Sequence, residues 1–111
     1  MKLRFLRPGE VPLASDDMSL IESVRGELLG RPGVEETQDA EAADALLIHG
    51  PWAFREWRYI DRLLADPVIG PRPHKVYSLN SDDAGTGLLR GAYCCISARR
   101  FDPHLHAAVP F

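Results

Sequence analysis

Four consecutive apolar residues, Ala45-Leu46-Leu47-Ile48, stand between polar Asp44 and the chain-breaking pair Gly50-Pro51. A short run with apolar side chains on both faces is the habit of a strand inside a parallel sheet that helices cover on each side. Other segments join it. Lys2 to Arg7 alternates charged and apolar residues at period two, which predicts a strand with one buried face. Lys75-Val76-Tyr77-Ser78-Leu79 predicts a third clear strand, and Tyr93 to Ser97 a final one. Val34 to Thr37 is a short, acidic candidate for a further strand.

Helical patterns fall between these strands. Ser19 and Glu22 have the spacing of a capping box, in which each side chain satisfies a free amide of the first turn. Leu20, Ile21, Val24, Leu28 and Leu29 then share one stripe. Gly30 is suited to a left-handed cap, and Pro32 prevents continuation. A second helix begins near Pro51, where a proline's missing amide costs nothing. Phe54, Trp57, Ile60 and Leu64 form its apolar stripe, Arg55, Glu56, Arg58, Asp61 and Arg62 face water, and Asp66-Pro67 closes it. Pro71-Arg72-Pro73 reads as a stiff extended linker. The acidic stretch from Glu35 to Asp44 reads as a solvated connector.

Strands alternating with helices of this length imply βαβ units with right-handed crossovers. The expected fold class is α/β: a single Rossmann-like domain over residues 1–111, with a mainly parallel sheet and helices packed on it. The chain has 111 residues, 45% hydrophobic and 26% charged, which suits one globular domain. Its net charge of −3, with Lys and Arg scattered singly, lacks the clustered cations that phosphate backbones require, so nucleic acid is not an expected partner. No apolar stretch reaches membrane-spanning length, and Met1 to Pro8 lacks a signal peptide's apolar core. Cys94 and Cys95 are adjacent, a spacing that strains a disulfide, and reduced thiols in a cytoplasmic protein fit best.

In open parallel sheets, ligands bind beyond the carboxyl ends of the strands. His49-Gly50-Pro51-Trp52 lies there, between a strand and a helix. Gly50 permits close backbone approach, the helix start offers free amides, His49 exchanges protons near neutral pH, and Trp52 offers a stacking wall. The competing reading makes Trp52 a core residue and His49 a satisfied strand-end residue. Asn80-Ser81-Asp82-Asp83 follows the third clear strand, where paired acids orient sugar hydroxyls or a metal, or simply cap a turn. Gly85 to Gly91 resembles a phosphate loop, but its spacing is GxGxxxG and too little chain follows for a full dinucleotide unit. His104 and His106 share a strand face only if that region is extended, and no carboxylate or cysteine cluster joins them. Neither a metal nor a cofactor is expected.

The stretch KVYSLNSDDAGTGLLRGAYCCISARRFDPHLHAAVPF, from Lys75 to Phe111, resembles a segment of bacterial exostosin-like glycosyltransferases. There a strand ending in an acidic loop leads to a glycine-aromatic strand and an Arg, Phe-Asp-Pro stretch. The preceding ADALLIHGPW looks like the strand and turn of the amino-terminal half of such enzymes. The resemblance implies one Rossmann-like half of a two-domain GT-B transferase, the half that contacts the acceptor. The donor-binding residues of the other half have no counterpart here. By this resemblance His49, Trp52 and Asp82 line an acceptor cleft, with His49 the general base; Gly50 and Asn80, from their places at the strand ends, are further candidate ligand-binding residues.

Three functional expectations result. The first is a glycosyltransferase-related domain that binds a saccharide acceptor and is not active without a second domain or partner chain. The second is a non-catalytic α/β binding or assembly module, self-associating as a homo-oligomer through an apolar surface near the tail. The third, a small nucleotide-dependent enzyme, rests on the glycine loop.

Overall fold

The computed structural model describes residues 1–7, 10, 19–49, 57–80, 91–93 and 102–108. Strand β1 spans Lys2–Phe5, helix α1 Ser19–Leu29, β2 Glu35–Glu36, β3 Ala45–His49, helix α2 Trp57–Ala65, β4 Val76–Asn80, β5 Gly91–Tyr93 and β6 His106–Ala108. The six strands form one sheet in the order β2-β1-β3-β4-β5-β6, and every pairing is parallel. This is the doubly wound order 2-1-3-4-5, extended by a sixth strand, in which the direction of winding reverses between β1 and β3.

The reversal decides which face each helix covers. A right-handed crossover from β1 to β2 steps toward one edge, while the β3-to-β4 step runs the other way, so their helices lie on opposite faces. On one face, Ile21, Val24 and Leu28 of α1 pack against Leu3, Phe5, Leu47 and Leu79. On the other, Leu63 of α2 and Ile69 join Leu6, Leu46, Ile48 and Val76. Strand β3 serves both cores: Leu46 and Ile48 are fully buried on the α2 side, and Leu47 on the α1 side is nearly so. Burying each such side chain stabilises the fold by about 1.5–3 kcal/mol. The apolar run of the sequence is therefore the centre of the sheet, as its pattern implies.

Several expectations change. β1 buries Leu3 and Phe5 and leaves Lys2 exposed, as the alternation predicts, but Arg4, in register with Leu46, is only 15% exposed because the strand sits between β2 and β3. The acidic connector is not simply solvated, because Ala40 and Ala43 are buried in the α2-side core. Within α2, Leu63 is buried, and Leu64, expected on the apolar stripe, is 54% exposed. Gly30 is not left-handed; Gly33, with φ 79°, makes the turn after α1, where Arg31 and Val34 amides donate to Leu28 and Arg31 carbonyls. Pro73–Lys75 is a single 3₁₀ turn rather than extended chain. Arg72 Nε donates to Glu41 Oε2 at 2.7 Å and Lys75 Nζ to the Glu41 carbonyl at 2.9 Å, tying this turn to the β2–β3 connection.

The last strands also shift. β5 begins at Gly91, earlier than the sequence pattern suggests, and residues 94–101 lie outside the described residues. The tail contributes β6, paired to β5 through Gly91↔His106, Ala92↔Ala107 and Tyr93↔Ala108. Among the described residues, no helix is long and apolar enough to cross a membrane.

Candidate functional site

The carboxyl ends of β1, β3 and β4 lie side by side, next to the point where the winding reverses. His49 ends β3 in register with Leu79, and Asn80 ends β4 one residue further on. Strand alternation sets His49 on the face of Leu47 and Leu79, the α1 side, where it is 8% exposed. His49 stands at the end of β3, where a buried run followed by Gly50-Pro51 is expected to stop. The structure brings His49 and Asn80 to one end of two neighbouring strands. Gly50, Trp52 and Asp82 lie outside the described residues, as does the glycine loop up to Arg90.

Beside this end runs a set of charged side chains that the sequence reading did not single out. A turn after β1 is closed by the Glu10 amide donating to the Arg7 carbonyl at 3.0 Å and the Arg7 amide donating to Glu10 Oε2 at 2.8 Å. Arg4 Nη2 lies 3.9 Å from Glu10 Oε1. Arg7 Nη2 is 3.3 Å from Glu22 on α1, and Arg25 lies between Glu22 and Glu36. Arg25 grips Glu36 with Nε and Nη2, the latter at 2.7 Å. These hydrogen bonds hold the Glu36 carboxyl below its usual range against the opposing effect of burial, and they raise the Arg25 guanidinium above its own.

Arg4 differs from the other two arginines. Among the described residues its Nε is buried without a hydrogen-bond partner. A charged residue at an apparently outward position of a first strand carries one available signal: in a doubly wound sheet the first strand is interior, so both its faces are covered. His49 and Asn80 end β3 and β4, whereas Arg4 pairs with Leu46 and so lies on the α2 side, the face opposite His49. Among the described residues, no group of three or more His, Cys, Asp or Glu side chains is arranged to hold a metal ion.

These features define the class, a small doubly wound α/β domain with a Rossmann-like parallel sheet. Comparison with protein families, with curated proteins and with solved structures finds no match.

Proposed function

We propose that this domain binds a small hydroxyl-rich ligand, a saccharide acceptor, at the carboxyl ends of β3 and β4. The observation that supports this reading is the placement of His49 and Asn80 at the ends of adjacent strands beside the winding reversal. Sugar hydroxyls both donate and accept, and imidazole and amide groups answer both needs. In this reading Trp52 supplies the stacking surface and Asp82 a further acceptor, while Gly50 lets the backbone approach. The resemblance to exostosin-like transferases assigns the nucleotide-sugar donor to a second half, so sugar transfer requires that half from elsewhere. His49 is then the base that takes the proton of the acceptor hydroxyl.

The test is ligand-observed NMR of the purified chain with methyl glycosides, disaccharides, nucleotide sugars and nucleotides. Saccharide signals that disappear in Trp52→Ala and Asn80→Ala, both still folded by circular dichroism, support the proposal. Nucleotide binding without saccharide binding refutes it, and so does silence across the panel with a folded chain.

A further inference from the structure

We draw no further inference here: the strongest candidate, the apolar groove on the α1 side of the sheet lined by Leu28, Tyr77, Leu105 and Ala107, also carries Asp44, His104 and the Met1 ammonium, so its chemistry selects no one occupant, and nothing in the structure shows what covers it.

Discussion

Replacing Asp66 by alanine tests how the chain turns from α2 toward β4. Asp66 is 8% exposed, and its Oδ1 accepts two amides, those of Val68 at 2.8 Å and Ile69 at 3.0 Å. Its carbonyl accepts the Gly70 amide at 2.8 Å. One carboxylate oxygen thus organises the turn that delivers Ile69, 2% exposed, into the α2-side core. In Asp66→Ala the Ile69 amide loses its acceptor in a buried position, which costs about 1–3 kcal/mol. The Val68 amide is only part-buried and regains some water, so its loss adds about 0.5–1.5 kcal/mol. Together these come to about 2–4 kcal/mol, against a total of roughly 5–15 kcal/mol for a domain of this size. Asp66→Asn keeps an oxygen where Oδ1 stands and loses only the charge assistance, about 1 kcal/mol or less. Urea unfolding followed by circular dichroism should show a fall in midpoint on the order of 1–2 M for the alanine variant, with unchanged slope. If asparagine costs as much as alanine, the oxygen's position is not what holds the turn and the reasoning fails.

Two further outcomes follow from other parts of the molecule. Because Arg25 lowers the folded-state pKa of Glu36, the pair stabilises the fold fully above the ordinary carboxylate range, and this contribution is lost as pH falls through the lowered value. The urea midpoint should therefore drop more steeply on acidification in the wild type than in Glu36→Gln, by a modest, salt-sensitive amount since both side chains reach water; parallel profiles would exclude this account. Gly91 has φ 155°, and a side chain there would collide with the Ser78 carbonyl oxygen, so Gly91→Ala should destabilise by about 2–4 kcal/mol and open the β4–β5 pairing first. Hydrogen exchange at β4 and β5 amides measures this; unchanged protection there would contradict the crowding.

The centre of the sheet could be read from the chain, and its margins could not. Ala45 to Ile48 declared an interior strand because every side chain in the run is apolar, and α1 declared itself through Ile21, Val24 and Leu28. Both signals are local and redundant. The phase of α2 was ambiguous for the opposite reason: Leu63 and Leu64 are equally apolar, so only the packing on Ile69 and Leu46 selects the first. Likewise β6 has a sequence, His-Ala-Ala, with no strand signature, and it exists because β5 presents an edge to pair with. At the candidate site, His49 was legible from the break that follows it. The approach of Arg4 to Glu10 was not, since it depends on a turn after β1 that folds a carboxylate back over its own start. Gly30 and Gly33 are a similar case: either could take the left-handed turn, and the hydrogen bonds after α1 choose the second.

Among the described residues, the two margins of the sheet are strands of two and three residues. Unpaired strand edges are templates on which other chains can grow, and short edges offer little to copy. At the β2 margin a second molecule adding in like fashion would bring Glu35 and Glu36 against carboxylates of the same sign. The short, acidic β2 margin thus offers an incoming strand little to pair with and a like-charged row to meet. Lengthening β2 with uncharged, β-branched residues would remove that protection without touching the core.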